Sequence, residues 1–238
     1  MFRSVLTSDT VDIFVGPKRK RFHLHKELLC DRSEYFRAVF QGGFAESASN
    51  ELFLPDDDVT AFEIFVNWIY GAQVRQPTRI EELHTYLALL ALSEKFVIEY
   101  LQNTTTDLIR GFDRQSGSKV GPEDMIFVYE NTTGRRMCGF MAGLVALQLS
   151  LNETHPEYDK DLLSALQGPL ASAGPFAGDF TWFLMRTRCF SPSYAAARIS
   201  ELLAHDNSCS FHYHDRTPLC KGPAILTYHV PPTNEGEC

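Results

Sequence analysis

The stretch VDIFVGPKRKRFHLHKELLCDRSEYFRAVF, at residues 11–40, decides the fold of this chain. In VDIFV, three aliphatic side chains alternate with Asp12 and Phe14, which predicts a strand with one buried face, and Gly16 ends that strand. A basic turn at residues 18–21 leads into a second extended run, FHLH. The two runs together predict a β-hairpin.

The same stretch continues from the hairpin into two helices. HKELLC begins the first helix, and Ser33 is a favourable N-cap for the second, SEYFRAVF, whose apolar residues recur at helical spacing. His25 lies where strand becomes helix, and we interpret it as a structural residue that satisfies backbone groups at this corner. The basic turn at residues 18–21 also fits a nuclear import signal, although the solvated end of a hairpin is the preferred interpretation.

Beyond this stretch the pattern predicts one more strand and three helices. Gly42 and Gly43 end the second helix, and LFL at residues 52–54 forms a short strand. The acidic run at residues 56–58 begins the next helix, where negative charge meets the positive end of the helix dipole. We prefer this capping role to a metal or acid–base role. Two further amphipathic helices extend to about residue 109.

Composition sets the class of protein. The chain has 238 residues, of which 44% are hydrophobic and 12% aromatic, so we expect one domain with a smaller companion. A net charge of −8 and a pI near 5.5 disfavour direct nucleic-acid binding. The sequence has neither a secretory leader nor the ~20 apolar residues of a membrane helix. We therefore expect no membrane association, a cytoplasmic or nuclear location, and six reduced cysteines.

Six motifs, in this order, carry a resemblance to a known family: VDIFV, FHLHKELL, SEYFRAVF, GGFAES, ELFLPDDDVTAFEIFVNWIYG and LHTYLALLALSEKFVIEYLQN. Together they resemble the BTB/POZ domain across residues 9–108, and the chain as a whole resembles fungal BTB domain-containing proteins. The resemblance implies an α+β fold, a small three-stranded sheet with a cluster of α-helices. It also implies a protein-interaction module without catalysis, and the sequence shows no phosphate loop, G-x-S-x-G or H-E-x-x-H motif.

The resemblance implies two partner sites. In the ubiquitin-ligase branch of the family, an apolar residue, any residue and a Glu contact a cullin scaffold, and Phe44 and Glu46 match that pattern. The alternative is that Phe44 fills the core. In the transcription-repressor branch, a charged pocket matches Asp12 and Lys26, for which a structural ion pair is the preferred alternative.

These matches favour an adaptor that links a partner or substrate to a cullin-type ubiquitin ligase. The alternative is a BTB scaffold or transcriptional co-regulator that acts through the Asp12/Lys26 pocket. Self-association is a further property of the family. BTB domains that dimerise by strand exchange carry an extra helix and strand before the hairpin, and only about ten residues stand there in this sequence. We therefore do not expect that route to dimerisation.

The second half of the chain has less distinctive sequence. We expect a Gly/Ser-rich linker at residues 109–121, a mainly helical region at 122–205 and a Cys/His-containing tail at 206–238. In the helical region, a mostly apolar helix after residue 136 is interpreted as core rather than as a docking surface.

The tail contains Cys209, His212, His214 and Cys220, which are residue types that bind zinc. Their spacing, C-x2-H-x-H-x5-C, differs from that of zinc fingers. We therefore prefer a bare polar tail without a cofactor, with zinc as the alternative.

Overall fold

The computed structural model describes the following residues: 9–116, 121–151, 156–171, 174–187 and 211–218. Parts of the sequence predictions lie outside these residues, namely Cys209, Cys220 and the end of the predicted helical region, residues 188–205.

The sheet has three short strands in the order β2-β1-β3. They are β1 Thr10–Val15, β2 Lys20–His25 and β3 Glu51–Leu54. β1 pairs antiparallel with β2, as the hairpin prediction requires, and parallel with β3. One face is buried and carries the aliphatic residues of the VDIFV alternation. The other face is open and carries Asp12 together with stacked Phe14 and Phe53, whose ring centroids are 4.9 Å apart.

Helices surround the buried face of the sheet. The first six are α1 Lys26–Arg32, α2 Glu34–Gln41, α3 Ala45–Ser49, α4 Val59–Ile69, α5 Leu83–Lys95 and α6 Glu99–Ser116, and a 3-10 turn at Ile80–Glu82 precedes α5. Ser33 caps α2 as predicted, because its Oγ accepts a hydrogen bond from the backbone N–H of Phe36. Asp58 caps α4 in the same way through the N–H of Ala61. The α+β fold with a small three-stranded sheet is therefore confirmed.

Fully buried phenylalanines fill the space between the sheet and these helices. The largest of them are Phe36, Phe40, Phe62, Phe65 and Phe96. Phe96, at the corner between α5 and α6, is central: its ring centroid lies 4.6 Å from that of Phe36 and 5.1 Å from that of Phe65. This aromatic core joins α2, α4 and the α5–α6 corner.

In the described part of the chain four more helices follow, namely α7 Pro122–Asn131, α8 Arg135–Leu151, α9 Pro156–Ala171 and α10 Pro175–Thr187. The described apolar residues of α8 are buried, which confirms that this helix is core. They share one hydrophobic cluster with residues of α5, α6, α7 and α10. Among the described residues, no helix is both long and apolar enough to cross a bilayer.

The linker prediction needs a correction. α6 continues to Ser116, well inside the segment 109–121. Ile109 and Phe112 are buried in the cluster that contains α8, so apolar packing keeps this polar-looking stretch helical. Gly111 and the Gly/Ser composition suggested a break, but a single glycine costs a helix only about 1 kcal/mol.

Candidate functional site

Phe44 projects into solvent at the corner between α2 and α3. α2 ends before Gly42 and Gly43, and Gly43 has a positive φ of 80°, which turns the chain. Phe44 then occupies the N-cap position of α3, and its carbonyl accepts hydrogen bonds from the N–H and hydroxyl of Ser47. The side chain is 60% exposed. The interpretation of Phe44 as a core residue is therefore wrong.

Glu46 lies in the first turn of α3, two residues after Phe44, and is half-buried. Burial raises the pKa of the Tyr35 hydroxyl in α2, and the negative charges of Asp57 and Glu46 raise it further. The corner thus carries an exposed aromatic ring at Phe44 and a half-buried carboxylate two residues later at Glu46. This arrangement can bind an apolar side chain next to a cation on a partner.

The predicted pairing of Asp12 with Lys26 does not occur, although both residues are described. The carboxylate of Asp12 instead accepts two hydrogen bonds of 2.8 Å from Arg21 and lies 2.9 Å from Nδ1 of His23. These bonds, those from Arg21 above all, lower the pKa of Asp12. Lys26 donates to Oδ1 of Asn50 at 3.0 Å.

Strand register explains this difference. Asp12 lies opposite His23 in the hairpin, with Arg21 one pair along on the same open face. Lys26 comes after the end of β2, as the first residue of α1. Membership of the basic turn predicts a solvated Arg21, whereas pairing across the hairpin predicts its contact with Asp12. Lys20 is likewise not a turn residue: it is the first residue of β2 and forms an ion pair with Glu63.

His25 occupies the predicted corner, but its role differs in detail. Its imidazole makes no capping bond to the backbone of α1. Nδ1 lies 2.7 Å from the hydroxyl of Tyr70, and that hydroxyl also accepts a 3.3 Å hydrogen bond from the backbone N–H of His25. The Tyr70 hydroxyl therefore pairs with the backbone N–H at this corner, and the imidazole of His25 helps to hold Tyr70 in place.

Residues 211–218, FHYHDRTP, are not a bare polar tail. We call them the docked segment, because they lie against α6 and α8. Phe211 is 5% exposed, and its ring centroid is 5.5 Å from that of Phe140 and 4.3 Å from the guanidinium carbon of Arg110. Apolar burial thus anchors the start of the docked segment.

Hydrogen bonds to α6 hold the rest of the docked segment. The side-chain amide of Asn103 donates to the carbonyl of Tyr213 at 2.7 Å and accepts from its N–H at 2.9 Å. The carboxylate of Glu99 accepts from the N–H groups of Asp215, Arg216 and Thr217 at 3.0, 2.9 and 2.9 Å. It also accepts a short hydrogen bond from the hydroxyl of Thr217.

These bonds explain the electrostatics of Glu99. Partial burial alone would raise the pKa of this carboxyl, but the hydrogen bonds from the hydroxyl and backbone of the docked segment outweigh burial and lower it. Arg216 adds an ion pair with Glu34 of α2, with Nη1 2.7 Å from Oε1. The docked segment therefore links α6 to α2.

A groove of about 600 Å³ lies beside the docked segment, between the α5–α6 corner and the start of α8. Glu94 of α5 lies on one wall and accepts hydrogen bonds from the N–H groups of Thr133 and Gly134, just before α8 begins. Gly134 is tightly enclosed: a Cβ atom there would come within 2.1 Å of the hydroxyl oxygen of Tyr213. At the start of α8 the groove is thus bounded by close contacts between the Thr133–Gly134 backbone and the side chains of Glu94 and Tyr213.

The predicted zinc ligands are only partly described. Nε2 of His212 lies 3.0 Å from Oδ1 of Asp107, and Nδ1 of His214 lies 3.2 Å from the hydroxyl of Thr217. Their ring centroids are 5.9 Å apart. In the described ranges no cluster of three or more His, Cys, Asp or Glu residues could hold a metal ion. Zinc binding that includes Cys209 and Cys220 stays a prediction.

Comparison with known proteins gives a consistent assignment. A family model described as the BTB/POZ domain matches residues 2–112. Human BTB/POZ domain-containing protein 9 is 30% identical over 99 residues, which cover 41% of this chain and 16% of that protein. BTB/POZ domain-containing protein 6 of Xenopus tropicalis is 31% identical over 111 residues, covering 46% of this chain and 20% of that protein. A BTB/POZ domain-containing protein of Arabidopsis thaliana is 28% identical over 99 residues, which cover 37% of this chain and 10% of that protein.

These alignments have a limited reach. They span a fifth or less of the length of each relative, so they concern the domain and not the whole of those proteins. The three relatives are animal and plant proteins, and the fungal resemblance stays a prediction. The family mediates protein–protein interaction and self-association and is generally non-enzymatic. Residues 2–112 of this chain are therefore a BTB/POZ domain, a protein-interaction module.

Proposed function

We propose that this chain is a non-catalytic adaptor that links a partner or substrate to a cullin-type ubiquitin ligase. The observation that carries the proposal is the 60% exposure of Phe44 at the α2–α3 corner, with Glu46 two residues later in the first turn of α3. In this adaptor, Phe44 and Glu46 bind the cullin scaffold, and the helices after α6 carry the surface for the partner or substrate.

The energetics of the corner support this role. Burying an exposed phenylalanine side chain contributes about 1.5–3 kcal/mol, and an anchor of this kind typically dominates an interface. Glu46 adds a carboxylate that favours a basic partner surface and sets its orientation. Phe44 is not part of the buried core of this chain, so its ring is available for contact with a partner.

Cullin capture tests the proposal. Tagged full-length chain is expected to retain cullin from cell extract, and Phe44→Ala and Glu46→Lys are each expected to reduce recovery at least tenfold. Glu81→Lys is the matched control, because it makes the same charge change at an exposed position before α5. Circular dichroism establishes that all variants fold. Equal recovery from wild type and both site variants would contradict the adaptor role.

The alternative function is a BTB scaffold or transcriptional co-regulator acting through Asp12 and Lys26. Its support is that both residues contact Asn50: the N–H of Asp12 donates to the Asn50 carbonyl, and Lys26 donates to the Asn50 side chain. Proximity labelling in cells distinguishes the two functions. Loss of cullin labelling in Glu46→Lys supports the adaptor, whereas loss of co-repressor labelling in Lys26→Ala supports the co-regulator. We place either function in the cytoplasm or nucleus, which fluorescent fusion of the full chain checks.

A further inference from the structure

The environment of the Thr217 hydroxyl is the starting point of an inference independent of cullin binding. Thr217 lies near the end of the docked segment and is half-buried against α6. Its Oγ1 contacts the carboxylate of Glu99, the carbonyl of Tyr213 at 3.4 Å and Nδ1 of His214 at 3.2 Å. Two of these three neighbours are acceptors. The hydroxyl is therefore held chiefly through the proton that it donates.

The sequence around Thr217 has a second relevant feature. Thr217 is followed by Pro218, and both Arg216 and Pro218 are exposed. Proline-directed protein kinases accept a threonine directly followed by proline, which has no backbone N–H. Because residues 213–217 of the docked segment are held largely by hydrogen bonds to Glu99 and Asn103, local opening of this part can present Thr217 to such an enzyme.

We propose that Thr217 is a phosphorylation site and that its modification releases the docked segment from α6. In the step, the γ-phosphoryl group of ATP moves to Oγ1 of Thr217, and ADP and the hydroxyl proton are released. The new group carries about −1.5 to −2 charges at neutral pH and replaces a donor by acceptor oxygens.

Release follows from the loss of that donor and from charge repulsion. The Glu99 carboxylate accepts from the Thr217 hydroxyl and from three consecutive N–H groups of the segment, so a phosphate at Oγ1 would lie against this carboxylate. Two like charges in contact repel each other, and this repulsion favours the undocked state. Arg216, the residue before Thr217, is already paired with Glu34 of α2.

Undocking would also change the groove beside the segment. Tyr213, Asp215 and Arg216 form one of its walls, so their departure opens it toward Glu94 and Glu99. Phosphorylation would therefore convert a covered surface of α6 into an accessible one.

The test combines kinase treatment with hydrogen exchange on the full-length chain. Wild type and Thr217→Ala are incubated with ATP and a proline-directed kinase, and the phosphate is located by mass spectrometry. We expect phosphate on Thr217, and amide exchange at residues 215–217 that is of the order of tenfold faster than in untreated protein. Phosphorylation with unchanged exchange would overturn the proposal.

Glu99→Gln supplies the matched variant, because it keeps a carbonyl acceptor but removes the charge. Thr217→Glu is expected to accelerate exchange in the wild-type background and to add little in Glu99→Gln. Glu99→Gln should also be phosphorylated faster than wild type, since its segment opens more often. Absence of phosphate at Thr217 in both wild type and Glu99→Gln would overturn the proposal, as would equal effects of Thr217→Glu in both backgrounds.

Discussion

At the scale of single residues, Ser33 shows how much one hydroxyl contributes to this domain. Its Oγ accepts from the N–H of Phe36 and donates to the carbonyl of Phe96 at 2.6 Å, and the side chain is buried. It thus caps α2 and satisfies the carbonyl of Phe96 at the α5–α6 corner. A serine N-cap can be predicted from the sequence, but its second bond, to a residue 63 positions away, cannot.

We expect Ser33→Ala to lower the free energy of unfolding by about 1–3 kcal/mol, because it removes a helix cap and leaves a buried carbonyl without its donor. Urea denaturation measures the loss. Ser49→Ala is the control, since Ser49 is exposed and its Oγ accepts from the N–H of Glu51, two residues away. A cost equal to that of the control would contradict the double role.

Glu99 gives a pH-dependent prediction. Hydrogen bonds keep its pKa below the ordinary value of about 4.3. The ionised carboxylate therefore stabilises the docked state fully above that value, and the stabilisation is lost as pH falls through the lowered pKa. The stability difference between wild type and Glu99→Gln should stay constant from about pH 7 to 5 and shrink below about pH 4. Asn103→Ala removes contacts that carry no charge. Its difference in stability from wild type should therefore not change with pH over this range.

The contacts of Glu99 and Asn103 also mark the limit of prediction from residues. Caps at Ser33 and Asp58 involve neighbours three residues away, and local rules predict them. The partners of Asn103 lie 110 residues further along the chain. No periodicity or spacing links them, so the docked segment was expected to be a bare tail.

At the scale of elements, the α5–α6 corner is organised by Phe96. The chain turns at Val97, which has a positive φ of 56°, and Phe96 points into the aromatic core between α2 and α4. Amphipathic periodicity predicted these helices, because each has one apolar face. It did not predict α3, which has no buried residue, or the extension of α6 to Ser116, which depends on packing against later helices.

Phe96→Ala should therefore be among the most damaging single changes in the domain. We expect a loss of about 3–5 kcal/mol from the free energy of unfolding, because the cavity would lie where three elements meet. Phe53→Ala is the matched control, since Phe53 lies on the open face of the sheet. Chemical denaturation compares the two variants, and similar costs would contradict a central role for Phe96.

At the scale of the whole molecule, the BTB/POZ domain and the later helices are joined by packing. Leu87 and Leu90 of α5 and Ile109 of α6 share a hydrophobic cluster with Met125 of α7 and Phe140 of α8. The sequence predicted two regions separated by a linker, because composition changes near residue 110. Composition does not reveal that apolar side chains on both sides of that point pack together.

We expect this shared cluster to make unfolding cooperative across both regions. The two tryptophans report on them separately: Trp68 lies in α4, and Trp182 lies in α10. Trp68→Phe and Trp182→Phe each leave one reporter, and their fluorescence transitions in urea should coincide within error. Two separated midpoints would show that the regions unfold independently.

Gly134 lies where the wall of the groove leaves no room for a side chain. A single methyl group at this position would collide with the Tyr213 hydroxyl and approach Oε1 of Glu94 to 2.7 Å. Gly134→Ala should therefore displace the Tyr213 ring from its position beside the start of α8. The position therefore excludes every residue with a side chain as long as the Tyr213 ring and the Glu94 carboxylate stay in place.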